Sequence, residues 1–167
     1  MKVVVTGASQ GIGKAIAGRF AEQGASLFLV SRNMDAHQKW VKEWMDTHGI
    51  SITTFNADLS VREEVAATAQ AIRDAFGRVD VLVNNAGNFE PGNVHDEPEG
   101  ALERMMNLNL YSAYHLTREL LPAMMQARQG HIFNICSIAA LKAYPGGGSY
   151  SISKFALEGF SKNLREE

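Results

Sequence analysis

Strand-sized apolar runs alternate along this chain with longer amphipathic runs, and that alternation constrains the fold more than any other feature. The strand-like runs are Lys2–Thr6, Ser26–Ser31, Ser51–Asn56, Val79–Asn84 and His131–Cys136. Between and after them lie helix-period stretches at Gly11–Gln23, Asp35–His48, Val61–Phe76, Glu99–Ala127 and Ser149–Glu166. Strands apolar on both faces, each followed by a helix, predict a parallel sheet covered on its two sides. The expected fold class is therefore α/β, a doubly wound parallel sheet of Rossmann-like type. Local signals agree. Gly24, Gly49 and Gly77 follow helical runs as C-terminal caps, and Ser60, with Glu63 three residues on, is expected to cap the third helix.

Composition removes several classes of function. The net charge is −2 and no basic run occurs, so no nucleic-acid partner is expected. The longest apolar stretches, Ser26–Val30 and Val79–Val83, are far too short to span a membrane. The Met1-Lys2-Val3-Val4-Val5 start lacks the apolar segment and cleavage site of a signal peptide. A single cysteine, Cys136, rules out a disulfide framework and reads as an inert core thiol. A cytoplasmic protein is the default expectation. The histidines at 37, 48, 95, 115 and 131 show no metal-ligand spacing, and His37 and His48 read as helix-surface residues. Trp40 and Trp44 read as one packed helix face.

The first strand runs straight into TGASQGIG, residues 6–13. Gly7, Gly11 and Gly13 stand where a strand must turn sharply into a helix. Glycine permits positive φ there and lets a phosphate approach the backbone. The helix N-terminus then offers free N–H groups and partial positive charge to a pyrophosphate. A tight strand–helix turn with no ligand would use the same residues.

The spacing G-x-x-x-G-x-G behind Thr6 resembles the loop of the short-chain dehydrogenase/reductase family, and the resemblance runs in order along essentially the whole chain. It includes NNAG at residues 84–87, which in the family stabilises the sheet and lines the cofactor site. It also includes Asp58 in NADLS, which matches the residue that meets the adenine ring; a helix-capping aspartate is the alternative. The resemblance implies that Gly7, Ser9, Gln10, Gly11, Ile12 and Gly13 hold the cofactor. Ser31, Arg32, Asp58, Leu59, Asn85, Ala86 and Gly87 would join them, with Tyr150 and Lys154.

YSISK, residues 150–154, puts Tyr150 and Lys154 on one helix face. An ammonium beside a phenol favours the phenolate, whose unperturbed titration near about 10 is too high for acid–base work at neutral pH. Ser137 and Asn109 stand at the family's spacing before Tyr150. By resemblance Ser137 hydrogen-bonds the substrate oxygen, and Asn109 holds a proton-relay water near Lys154. Lys154 would also bind the nicotinamide ribose. Asparagine is a poor helix-interior residue, so its place in the apolar run Met105–Tyr114 needs a reason. Asn107 is a rival by type, and the spacing favours Asn109.

The second strand ends in Ser31-Arg32-Asn33. An acidic residue there would select NAD; Arg32 offers a planar cation suited to a 2′-phosphate, with Ser31 as a further donor. NADP is thus expected over NAD. Relatives that prefer NADP often carry a second basic residue in the glycine loop, where this chain has Gln10, and Arg32 as a solvated loop cation is the alternative.

The implied function is hydride transfer between NADP(H) and a carbonyl/alcohol substrate. 3-Oxoacyl-thioester, pteridine, sugar, steroid and small-ketone substrates all remain open. A non-catalytic dinucleotide sensor or scaffold, an inactive truncated form, or a flavin or nucleotide binder are the alternatives. Residues 1–167 are expected to form a single dinucleotide-binding domain that carries the catalytic residues. The C-terminal strands and substrate segment of the full family fold are not in it, and a chain ending at Glu167 would turn over weakly or not at all. Segment Asn88–Gly100 reads as a loop beside the site, and Gly146-Gly147-Gly148 as a flexible wall or a tight turn. Leu116, Leu120, Phe155, Leu157 and Phe160 serve the core or the interface of an expected homo-oligomer.

Overall fold

A computed structural model describes all residues, 1–167. Its sheet has five parallel strands, β1 (Lys2–Thr6), β2 (Ser26–Ser31), β3 (Ile52–Asn56), β4 (Val81–Asn84) and β5 (His131–Asn134), in spatial order β3-β2-β1-β4-β5. The helices are α1 (Gly11–Glu22), α2 (Gln38–His48), α3 (Arg62–Phe76), α4 (Ala101–Met106), α5 (Ser112–Ala127) and α6 (Gly148–Glu166). This is the doubly wound, Rossmann-like arrangement. Successive strands step outward from β1 to β3, and the chain then returns to the other side of β1 to place β4 and β5. The switch falls between β1 and β4, and in such sheets the crevice for a ligand lies there, at the strands' carboxyl ends.

Strand alternation sends side chains to opposite faces, and both faces are buried. Val4, Phe28, Val30 and Leu82 face a layer formed by Val65, Ala69, Ile72 and Phe76 of α3 and Leu116, Leu120 and Met124 of α5. Phe28, 1% exposed, meets Phe76 edge-on with ring centroids 6.1 Å apart. Val3, Val5, Leu27, Leu29, Val81 and Val83 face the other way, onto Ala17 and Ala21 of α1 and Val41 of α2. Trp44 closes on Gly18 of α1, its ring 4.5 Å from that of Trp40. The two edge strands depart from the expected pattern: β3 and β5 are only half covered, and Phe133 is 51% exposed.

The differences from the sequence reading have local causes. β3 and β4 start later than expected, at Ile52 and Val81, and β5 stops at Asn134 rather than Cys136. Ser60 does not cap α3. Its N–H and hydroxyl both donate to Asp58 Oδ1, and Glu64 rather than Glu63 reaches back, accepting from the Asp58 N–H at 2.7 Å. Residues 35–48 are a 3₁₀ turn, Asp35–His37, leading into α2. The long fourth helix is interrupted by a π turn, Asn107–Tyr111, between α4 and α5. The Ser112 hydroxyl donates to the Leu108 carbonyl, giving that widened turn a local partner. Gly24, Gly49 and Gly77 do adopt the positive φ of C-terminal caps. Leu116, Leu120 and Leu157 are core residues, whereas Phe155 is exposed. No helix is long and apolar enough to cross a membrane.

Candidate active site

The carboxyl ends of β1 and β4 are joined through Thr6. Its hydroxyl donates to Val83 O and accepts from the N–H groups of Asn85 and Ala86 at 3.0 and 2.9 Å. Asn85 Nδ2 returns the link, donating to Thr6 O at 2.9 Å and Gly7 O at 3.1 Å. The glycine loop is thereby locked to the NNAG segment. Gly7 has φ of 63°, and a methyl on Gly13 would run into the Gly7 carbonyl and Asn85 Nδ2. Only glycine lets strand, loop and helix come this close. Asn84, 4% exposed, is held from two sides: its Nδ2 donates to Thr117 Oγ1 and Asn134 Oδ1.

From this junction runs a cleft of about 590 Å³, within the ordinary range of small-molecule sites. In its middle, at the end of β1, lie Gly7, Ser9, Gln10, Gly11 and Ile12. Ser31 and Arg32, then Asp58 and Leu59, line it on the β2 and β3 side. Asn85, Ala86 and Gly87 form the floor, and Tyr150 and Lys154 stand at the far end. Gly13 is buried beneath the loop, and Asn109 and Ser137 do not line the cleft. A larger hollow of about 910 Å³ lies between β5, α5 and α6, and none of the predicted site residues line it.

The glycine loop suits a phosphate. Helix α1 begins at Gly11, its N-cap Gln10 makes no side-chain cap, and no acid occupies its first turn. Its orphan N–H groups are left without a competing carboxylate. Together with the cradle a Cβ would fill, these residues fit a dinucleotide.

Asp58 is held below the usual carboxylate range by the Ser60 hydroxyl and backbone N–H, with the Arg32 cation adding to this. A depressed carboxyl stabilises the fold above its unfolded value, near about 4, and that contribution is lost as pH falls through the folded value. Asp58→Asn is expected to be slightly less stable than the parent at pH 7, with the gap closing below about pH 4. Thermal melts across that range check this.

At the far end, Lys154 is buried, and burial pushes its ammonium below the ordinary lysine range. Its Nζ donates to Ile135 O at 2.9 Å and lies 6.0 Å from the Tyr150 ring centre. Asn109, 1% exposed, sits in the π turn; Asn107 is only half-buried. Asn109 Oδ1 accepts from the Asn88 N–H at 2.8 Å. Its Nδ2 donates to Asn88 O at 3.0 Å and Ser153 Oγ at 2.9 Å. Gly87 lies beside both groups: a methyl there would touch the Asn109 amide oxygen and approach the Lys154 ammonium. Ser137 Oγ caps the 3₁₀ turn Ile138–Ala140, accepting from the Ala139 N–H at 3.2 Å. The Ser151 hydroxyl donates to Ala139 O at 2.9 Å, which ties that turn to α6 beside Tyr150.

Several participants escaped the sequence reading. Phe89 packs edge-on to Tyr150, centroids 4.7 Å apart. Asn88 frames Asn109, and Thr6 is the clasp rather than merely the residue before the loop. A threonine directly after three consecutive valines was the available signal. His37, read as a helix-surface residue, lines the cleft. Cys136 is half-buried beyond the end of β5 and also lines the cleft; burial, then the Glu158 carboxylate, push its thiol up.

Known proteins resemble this chain in sequence and in fold. The profile of the family described as short chain dehydrogenase matches residues 1–167. The mouse dehydrogenase/reductase SDR family member 7B is 38% identical over 99% of this chain and 52% of its own length. Nodulation protein G of Rhizobium sp. (strain N33) is 37% identical over 99% of this chain and 66% of its own. The chain thus spans between half and two thirds of these curated relatives. A metagenomic short-chain oxidoreductase solved with NADP superposes with a TM-score of 0.93, at 36% identity over 99% of this chain and 75% of that one. L-Sorbose reductase from Gluconobacter frateurii, solved with NADPH and L-sorbose, gives 0.92, at 32% identity over 98% and 62%.

Proposed function

This chain belongs to the short chain dehydrogenase family, and on that footing we propose that it takes part in moving a hydride between NADP(H) and a carbonyl/alcohol pair. One observation carries the reading: a single cleft is lined both by the glycine loop, at Gly7, Ser9, Gln10, Gly11 and Ile12, and by Tyr150 and Lys154. In this reading Gly7, Ser9, Gln10, Gly11, Ile12 and Gly13 hold the pyrophosphate, and Asp58 and Leu59 flank the adenine. Asn85, Ala86 and Gly87 floor the nicotinamide half. The dinucleotide, when bound, supplies the hydride.

The protein's share is positioning and proton transfer. Ser137 receives the substrate oxygen. Tyr150 gives or takes the proton at that oxygen, and Lys154, anchored on Ile135 O, holds its ammonium 6.0 Å from the Tyr150 ring centre. Asn109 fixes the Asn88 backbone beside them. The test is NADPH oxidation against a panel of carbonyl compounds, with NADPH binding followed separately by fluorescence. Carbonyl-dependent oxidation supports the reading. Tight NADPH binding with no oxidation for any carbonyl favours a dinucleotide sensor instead.

For cofactor choice, Arg32 is the group placed to meet a 2′-phosphate. It lies on the cleft wall near Asp58 and makes no ion pair within the chain. Arg32→Asp is expected to shift the NADPH/NADH ratio of dissociation constants by about tenfold or more towards NADH, the size of a charge-assisted contact. An unchanged ratio refutes the assignment. The exposed Tyr111 of the π turn, Tyr114 of α5 and Phe155 of α6 support a homo-oligomer joined through these elements.

A further inference from the structure

Helix α6, which carries Tyr150 in its first turn, has no cap of its own. Its N-cap position is Gly147, no side chain there accepts a hydrogen bond, and no acid lies in its first turn. The missing partner comes from fifty residues upstream, and we infer that Glu97 is a positioning residue for Tyr150, acting by capping the catalytic helix from outside it. This deepens the hydride-transfer reading and rests on it.

The contact is closely built. Glu97 Oε1 accepts from the Ser149 N–H at 2.7 Å, and Oε2 accepts from the Ser149 hydroxyl. Gly148, with φ of 34°, lies so near that a methyl there would overlap the Glu97 carboxylate and the Gly92 carbonyl. A carboxylate on orphan N–H groups at a helix start satisfies a donor and opposes the positive end of the dipole. The residue bonded is Ser149, immediately before Tyr150.

The segment that presents Glu97 is itself fastened at both ends to the site. At one end Asn88 exchanges backbone hydrogen bonds with the Asn109 amide at 2.8 and 3.0 Å. Next to it Phe89 rests against the Tyr150 ring. In the middle the Gly92 N–H donates to Gly146 O at 3.1 Å, and Asn93 Oδ1 accepts from the Gly146 N–H at 3.0 Å. The Asn93 carbonyl then accepts from the N–H groups of Asp96 and Glu97, both at 3.0 Å, closing a turn that aims the carboxylate at Ser149. Asn109 closes the circuit, since its Nδ2 donates to Ser153 Oγ, which donates to Tyr150 O at 2.7 Å. The strap therefore sets where the first turn of α6 sits relative to the π turn, and so where the phenol stands.

The test compares Glu97→Ala, Glu97→Gln and Gly148→Ala in the purified protein. Turnover is read with the best carbonyl of the panel, and the titration of Tyr150 is isolated by subtracting the spectrum of Tyr150→Phe. Glu97→Ala is expected to lower kcat by about 10- to 100-fold, as a misplaced catalytic group does. KM for the carbonyl and the dissociation constant of NADPH should change by less than about threefold, well under the 10-fold that about 1.4 kcal/mol gives. Glu97→Gln keeps the acceptor oxygen and should restore most of kcat. Gly148→Ala displaces the same contact from the opposite side and should reproduce the loss. The Tyr150 titration should move in the Ala variants and return in Gln. A kcat and a Tyr150 titration both unchanged in Glu97→Ala overturn the inference. So does a loss that Glu97→Gln fails to rescue while both variants melt with the parent. A parent that oxidises no NADPH with any carbonyl sinks the functional reading alone, because the titration still decides the positioning role.

Discussion

Tyr150→Phe should lower kcat by about 10²–10⁴-fold, the range over which a positioned acid–base group accelerates proton transfer. The loss should be confined to chemistry. The Tyr150 ring is packed edge-on against Phe89, and Phe keeps that contact. No hydrogen bond within the chain uses the phenol oxygen, so its removal strands no partner. The melting temperature should therefore stay within about 2 °C, less than about 1 kcal/mol is worth in a chain of this size. NADPH affinity should change far less than kcat, because the glycine loop at the end of β1 is built from other residues and none of its hydrogen bonds uses Tyr150. Steady-state kinetics beside a fluorescence titration measure both. A kcat within about twofold of the parent would remove Tyr150 from the reaction, since the acid–base range starts about 10²-fold away.

Gly13→Ala should strike binding and stability together. Gly13 is buried, and the added methyl would overlap the Gly7 carbonyl and Asn85 Nδ2. Neither can yield cheaply. The Gly7 carbonyl belongs to a loop already at positive φ, and Asn85 Nδ2 is bonded to both Thr6 O and Gly7 O. Overpacking of this kind costs about 1–3 kcal/mol, and each displaced hydrogen bond adds about 1 kcal/mol. At about 2–4 °C per kcal/mol for a chain of this length, the melting temperature should fall by roughly 5–10 °C. NADPH should bind at least about 100-fold more weakly, because the start of α1 must lift off the loop that shapes the phosphate site. Gly11 is the internal control. It too has positive φ, 56°, but nothing lies within 4 Å of where its Cβ would be. Gly11→Ala should cost only the backbone strain, about 1–2 kcal/mol. Equal melting temperatures for Gly13→Ala and the parent would show that the junction is not close-packed.

The central strands were legible because burial on both faces leaves a plain signature: Val3-Val4-Val5 and Leu27-Phe28-Leu29 cannot be anything but interior. The glycine loop was legible for a similar reason, since its residues are dictated by backbone geometry. What the sequence hid is carried by contacts between distant segments. Ser60 followed three residues later by Glu63 has the form of a capping box, yet Asp58 competes successfully for the serine. Cys136 looked like the end of a buried strand, but β5 lies at the sheet edge and stops two residues earlier. Phe89 and Glu97 stand in a Gly-, Pro- and acid-rich stretch with no periodicity, so nothing local distinguishes them from solvated loop residues. The break at Asn107–Tyr111 carries no proline or glycine to announce it.

That break has a consequence for how this chain tolerates length changes. A π turn is an α-helix with one residue too many. Deleting Leu108, Leu110 or Tyr111 would let the rod become regular from Ala101 to Ala127 with its two ends nearly in their present phase, because the wide turn already absorbs the extra residue, but the widened turn that presents Asn109 would be gone. Leu116, Leu120 and Met124 would keep their seats on the sheet, but the Asn109 amide would rotate off Asn88 and Ser153. One lost codon could thus blind the site and spare the scaffold, giving a sturdier helix in an inert protein.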